Sequence, residues 1–204
     1  MEKAWSKSEL ARRYDLFVFD LDGTLYDERS YLFSAYRAIA ARLGEAYPAF
    51  PPEAYEAFLC TTFRQEGRKQ LFDKCIAHFR LPVQVAELTD ILHRHEAALQ
   101  LDTRAEGLLD FLAEKDKRLY ILTNGNVQQQ QNKVRLLGLE GRYPGIGVVY
   151  ASATAPKPSP LCLQHILQET GISSGRTVLV GDTEVDEETA RRAAVDYIFI
   201  QNIL

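Results

Sequence analysis

Cysteine is scarce in this chain: three residues in 204, an odd number. Cys60, Cys75 and Cys162 stand far apart, in no metal-like or redox-like spacing. That excludes a disulfide framework and points to reduced thiols in a cytosolic protein. Long apolar runs are missing as well. The run Leu16–Phe19 stops at Asp20 after four residues, and no stretch approaches the ~18–20 residues a bilayer span requires. The N-terminal segment mixes Glu2, Lys3, Lys7, Glu9, Arg12, Arg13 and Asp15 with no apolar core behind it, so no targeting signal is read there. Nor is there a basic run. Twenty-four Lys+Arg stand against 28 Asp+Glu, a net charge of -4, which disfavours a nucleic-acid surface. Histidine is sparse too: His93 and His95 are two apart, on different faces of a helical pattern, while His78 and His165 are isolated. None forms a zinc site. The expectation is a soluble, cytoplasmic protein without membrane or nucleic-acid partners; its oligomeric state stays open.

What is present is ordinary globular composition, 46% hydrophobic and 25% charged, enough for one core domain and an insertion. Five short runs rich in β-branched and aromatic residues read as buried strands: Leu16–Asp20, Leu119–Thr123, Val148–Ser152, Thr177–Gly181 and Tyr197–Ile200. Helical patterns lie between the later ones, at about 105–116, 126–137, 159–170 and 184–194. Ser159-Pro160 reads as an N-cap with proline at the first helical position, and Gly138 and Gly171 as stops. The glutamine run 128–131 reads as a solvated helix face. This alternation argues a parallel sheet with helices on both faces. Residues 26–101 break it with helical signals alone. Leu32, Phe33, Tyr36, Ile39, Ala40 and Leu43 share one face, and Val85, Leu88, Leu92, His95 and Leu99 repeat the same period. The reading is an α/β core over 1–25 and 102–204 with an all-helical insertion over 26–101.

Polar residues collect where the strands end. Asp20 ends the first strand and Thr123 the second, Lys157 lies in the loop after the third, and Asp182 follows the fourth, with Asp186 four residues on. In open parallel sheets, ligands bind beyond the carboxyl ends of the strands. In Asp20-Leu21-Asp22-Gly23-Thr24, residues two apart in extended chain point the same way, so both carboxylates can face one substrate. Gly23 lets the backbone turn sharply against a ligand. Charge counting independently calls for a metal. Asp20, Asp22, Asp182 and Asp186 bring up to four negative charges, and Lys157 offsets one. A hard divalent cation with oxygen ligands, Mg²⁺ above others, resolves that repulsion.

The sequence resembles the haloacid dehalogenase superfamily, in the phosphatase branch with a helical cap inserted after the first strand. Asp20-Leu-Asp-Gly-Thr-Leu25 is similar to its first motif, Leu122-Thr-Asn124 to its second, Lys157-Pro-Ser-Pro160 to its third, and Val180-Gly-Asp-Thr183 through Asp186 to its fourth. Thr123-Asn124-Gly125, followed by glutamines and Lys133, further resembles nucleotidase-like and sugar-phosphatase members. The resemblance implies a Rossmann-like α/β fold and a Mg²⁺-dependent phosphomonoester hydrolase acting on a small phosphorylated metabolite. It implies that Asp20 is the nucleophile, that Asp22 is the general acid and base, that Thr123 and the Asn124 backbone hold phosphoryl oxygens, and that Lys157 neutralises them. It also implies metal ligation by Asp20 and Asp182 through carboxylates and by Asp22 through its main-chain carbonyl. Asp186 either ligates or orients metal-bound water. A phosphomutase uses the same residues and remains an alternative, as does a non-catalytic binding protein. The family usually has glycine where Ala194 stands, so the preceding helix is expected to end differently here. Within the insertion, Arg64, Arg68 and Lys69 flank Gly67 and are candidates to grip a second anionic or hydroxyl-rich part of the substrate.

Overall fold

The computed structural model describes residues 4–204, so Glu2 and Lys3 lie outside the described residues. Two compact units are present: the described residues up to Glu28 together with Leu99–Leu204, and Arg29–Ala98. Five strands build the first, β1 (Leu16–Phe19), β2 (Arg118–Thr123), β3 (Gly147–Tyr150), β4 (Thr177–Gly181) and β5 (Asp196–Phe199). Among the described residues ten α-helices follow in chain order: α1 (Lys7–Arg13), α2 (Glu28–Ala46), α3 (Pro52–Glu66), α4 (Leu71–Phe79), α5 (Val85–Arg94), α6 (Thr103–Ala113), α7 (Val127–Leu136), α8 (Leu139–Arg142), α9 (Leu161–Thr170) and α10 (Glu184–Arg192). None is long and apolar enough to cross a membrane.

The sheet is wholly parallel in the order β3-β2-β1-β4-β5. Both faces of its centre are covered, which is why β1 and β4 are continuous apolar runs rather than alternating ones. Leu16 and Val18 pack with Leu163 and Ile166 of α9 and Ala190 of α10. Phe17, pointing the other way, meets Tyr14 edge-to-face at 6.0 Å. Pairing of Phe19 with both Ile121 and Val180 aligns the carboxyl ends of β1, β2 and β4 on one edge.

Strand positions agree with the sequence reading to within a residue or two. The main difference is at β3, where Ala151–Ala153 form a 3₁₀ turn instead of extending the strand. That turn presents the Ser152 hydroxyl to the Gly125 N–H at 2.9 Å. Helix α9 starts at Leu161 with Pro160 at the cap; Ser159 is not the N-cap, its hydroxyl only reaching the Leu161 N–H at 3.4 Å. Gly138 and Gly171 do close their helices in left-handed conformations. The expectation of a different ending after α10 is overturned. Ala194 adopts φ 55°, the left-handed geometry itself, and the Val195 N–H still reaches Ala190 O at 3.0 Å. Tertiary packing of Val195 and β5 over-determines the backbone there, and exposed Ala194 carries the strain. Ala194→Gly is therefore expected to stabilise the protein by about 0.5–1 kcal/mol, strain relief exceeding glycine's extra unfolded-state entropy. Urea unfolding with an unchanged m-value and a higher midpoint is the check.

In the second unit, Leu32, Tyr36, Ile39, Ala40 and Leu43 form the buried stripe of α2, with Phe33 half-buried beside them. Tyr36 meets Phe63 and Phe72, and Phe50, Tyr55 and Phe79 form a second ring cluster. The expected stripe through Leu99 stops early. Helix α5 ends at Arg94, where Leu92 O accepts both the His95 N–H and, at 2.6 Å, the hydroxyl of Tyr31, 61 residues away. Gly67 closes α3, and Arg68–Gln70 turn the chain into α4. Arg64, Arg68 and Lys69 are exposed around that turn, with the Arg64 guanidinium 4.9 Å from the Phe33 ring centre.

Candidate active site

Asp20 leaves β1 with its carboxylate buried, and Lys157 Nζ donates to Asp20 Oδ1 at 2.6 Å and to Asp186 Oδ1 at 2.5 Å. One ammonium thus bridges two carboxylates. Burial favours the neutral form of Lys157, but Asp20 and Asp186 outweigh it and its pKa is raised. For Asp20, burial dominates; the Asp186 charge adds to it, Lys157 opposes it, and the carboxyl is pushed up to about 7. Asp182 is also raised, mainly by burial, although the Thr24 hydroxyl donates to its Oδ1 at 3.1 Å.

The loops are shaped to bring these groups together. Gly23 has φ 80°, and a Cβ there would lie 2.2 Å from Asp182 Oδ2, so only glycine admits the carboxylate. Asp186 sits in the first turn of α10, where its Oδ2 accepts from the Thr183 N–H at 3.2 Å and hydroxyl at 2.5 Å, closing a capping box. Its second oxygen is left for Lys157. Asn124 holds the lysine loop from the neighbouring strand: Lys157 N–H donates to its Oδ1 at 2.8 Å, and its Nδ2 donates to Lys157 O at 3.0 Å. Thr123 ends β2 buried, its hydroxyl 3.2 Å from Asn124 O.

Asp22 stands apart from the other three acids. Its carboxylate accepts from Lys133 Nζ at 2.7 and 2.9 Å, from Gln130 Nε2 at 2.8 Å, and from the Tyr26 hydroxyl. The glutamine run is therefore a solvated face only in part. Gln128 and Gln131 are exposed, whereas Gln129 and Gln130 are buried and Gln130 reaches Asp22. Gln130, Lys133, Tyr26 and Thr24 join the site beyond the candidates the sequence names; Thr24 lies within the first motif and the glutamines and Lys133 follow the second, but no local signal marks them as contacts to Asp22 and Asp182. Arg64, Arg68 and Lys69 belong to the helical unit.

The acidic group suits a hard cation. One oxygen from each of Asp20, Asp182 and Asp186 lies within 4.8 Å of the others. Three carboxylates face one ammonium, and burial lifts two of them above their ordinary range. Missing positive charge and an all-oxygen donor set fit a divalent ion such as Mg²⁺.

The model of the haloacid dehalogenase-like hydrolase family matches residues 14–194. The chain belongs to that family. This hydrolase is on the phosphatase side of it: a plasmid-encoded phosphoglycolate phosphatase of Cupriavidus necator is 27% identical over 190 residues, 90% of this chain and 79% of the relative. N-acylneuraminate-9-phosphatase of Rattus norvegicus is 34% identical over 87 residues, 42% of this chain and 35% of the relative. Among solved structures, a candidate beta-phosphoglucomutase from Thermotoga maritima superposes with TM-score 0.67 at 18% identity, covering 93% of this hydrolase and 83% of that chain. A candidate hydrolase of the family from Bacillus subtilis, solved with magnesium, gives 0.63 at 24% identity, covering 91% and 87%. These likenesses establish the fold, Rossmann-like with a parallel five-stranded sheet flanked by helices.

Proposed function

We propose that this hydrolase is a Mg²⁺-dependent, cytoplasmic phosphatase acting on a small phosphorylated metabolite through an aspartyl-phosphate. The observation that carries the reading is the buried Asp20 carboxylate held by Lys157 at the edge of the sheet, with Asp22 two residues on. A carboxylate needs no partner base to act as nucleophile. An Asp20 oxygen attacks phosphorus as the bond to the leaving oxygen breaks, and Asp22 delivers a proton to that oxygen. Asp22, now a carboxylate, takes a proton from water, whose oxygen attacks the same phosphorus. The bond to Asp20 then breaks, releasing inorganic phosphate and restoring both carboxyl groups. Thr123, the Asn124 backbone and Lys157 hold the phosphoryl oxygens, which is where most of the acceleration in phosphoryl transfer arises. Asp20 and Asp182, with the Asp22 carbonyl, would hold Mg²⁺, and Asp186 would orient its water. When bound, the ion supplies charge neutralisation between the carboxylates and the phosphoryl group. Burial of all three thiols, with Cys75 pushed up to about 12, removes cysteine from the chemistry.

Specificity is assigned to the helical unit, with Arg64, Arg68 and Lys69 as candidate contacts to the unreacting part of the substrate. A screen of phosphorylated metabolites, scored by inorganic phosphate, tests the whole reading. Steady phosphate release without a bisphosphate activator is expected. Isomerisation that depends on such an activator and frees little phosphate would make the protein a mutase. In the same screen, Arg68→Ala is expected to raise KM for the preferred metabolite about tenfold, roughly 1.4 kcal/mol of binding, and to leave 4-nitrophenyl phosphate nearly unchanged. Equal effects on both substrates would remove the cluster from the site.

A further inference from the structure

We propose that Lys133 and Gln130 are positioning residues that aim the Asp22 carboxyl group; the inference rests on the reading of Asp22 as general acid and base.

Three observations carry it. First, the two side chains lie three residues apart on α7 and so present one face of the helix. From 111 and 108 residues away they converge on both oxygens of one carboxylate. Second, Lys133 is almost wholly buried, with 1% of its side chain exposed, and Asp22 is 18% exposed. A buried ammonium is costly unless paired, and an apolar residue of similar length would fill the space with less loss. Lys133 has Asp22 in direct contact and Glu28 at 3.9 Å. Third, the amide of Gln130 has a forced orientation. Its Nε2 faces two acceptors, Asp22 Oδ2 and Asn124 O at 2.7 Å, so the reversed amide would set oxygen against oxygen. The consequence is a buried Oε1 with no partner among the described residues. A residue chosen for packing would not carry that unmet acceptor. The neighbouring loop also accommodates the amide, since a Cβ on Gly125 would lie 2.7 Å from Nε2.

Asp22 itself sits at the start of a turn through Gly23. Without the α7 pair, the hydrogen bonds left to its side chain among the described residues reduce to the one from the Tyr26 hydroxyl. Proton transfer requires an oxygen within hydrogen-bond reach of the leaving group and then of water, so a misaimed carboxyl loses rate in proportion to how much the leaving group needs the proton.

The experiment compares wild type, Asp22→Asn, Lys133→Met and Gln130→Leu on 4-nitrophenyl, phenyl and benzyl phosphate. These share a ring and differ in how readily the oxygen departs. The readout is the ratio of kcat/KM on benzyl phosphate to that on 4-nitrophenyl phosphate, which is independent of the fraction of protein that is folded. Asp22→Asn is expected to lower this ratio on the order of 10²-fold, and Lys133→Met and Gln130→Leu about tenfold each. A fall in Asp22→Asn alone would overturn the inference and leave the α7 pair as a structural clamp. No change even in Asp22→Asn would overturn the acid–base assignment on which it rests. Should Lys133→Met fail to fold, Gln130→Leu, close in volume and uncharged, decides the question by itself.

Discussion

Asp20→Asn is expected to abolish turnover, by at least about 10⁴-fold, while leaving the protein folded and, in the absence of metal, more stable than wild type at pH 8. The substitution removes the attacking oxygen with almost no change in volume. Lys157 keeps Asp186 at 2.5 Å, so its ammonium is not stranded. The stability effect follows from the raised carboxyl. Burial holds Asp20 near 7 in the folded protein, against about 4 for an ordinary aspartate. The folded state therefore binds this proton more tightly than the unfolded chain does. Its contribution to stability is complete below about pH 4 and is lost as pH rises through about 7. Asparagine copies the neutral form at every pH. Thermal unfolding in EDTA should show the difference between variant and wild type growing from pH 5 to pH 8. Wild-type rates in Asp20→Asn would end the covalent mechanism, and a lower Tm at pH 8 would contradict the account of a buried, poorly compensated charge.

Chelation is the second large effect. EDTA is expected to silence the enzyme on 4-nitrophenyl phosphate, and excess Mg²⁺ to restore it. The site cannot neutralise itself: among the described residues, Asp20, Asp182 and Asp186 gather within 4.8 Å and Lys157 is the cation bonded to Asp20 and Asp186, and a dianionic substrate deepens the imbalance. Mg²⁺ should also raise the Tm of wild type, because a ligand that binds only the folded state stabilises it by mass action. Asp20→Asn should lose most of that rise. Full activity in chelator would remove the metal from the mechanism.

How far the sequence carried this picture depends on whether the cause was local. Strands β1 and β4 were legible because both faces are covered, so the chain writes them as short unbroken apolar runs. The gathering of Asp20, Lys157, Asp182 and Asp186 was legible because parallel strands deliver their carboxyl ends to one edge. The misread features have distant causes. Gln130 and Lys133 look like a solvated face until α7 is docked beside Asp22, more than a hundred residues earlier. The stripe from Val85 also runs on past the helix, whose last turn meets the Tyr31 hydroxyl at Leu92 O, a tertiary contact the local pattern does not record. Ala194 looks incompatible with a left-handed ending because the strain it carries is imposed by the packing of Val195 and β5, which local propensity does not record.

The paired bonds between Asn124 and the Lys157 main chain have a consequence for how the ammonium is held between turnovers. Beyond the last residues of β2 and β3 the ladder has run out, yet the side-chain amide of Asn124 supplies one more donor–acceptor pair to the main chain. The lysine is thereby registered to the sheet rather than to the residues preceding it. The Ser152 hydroxyl on the Gly125 N–H ties the other end of the lysine loop to the same turn. The ordering entropy of that loop is also met once, at folding, and not again at each turnover.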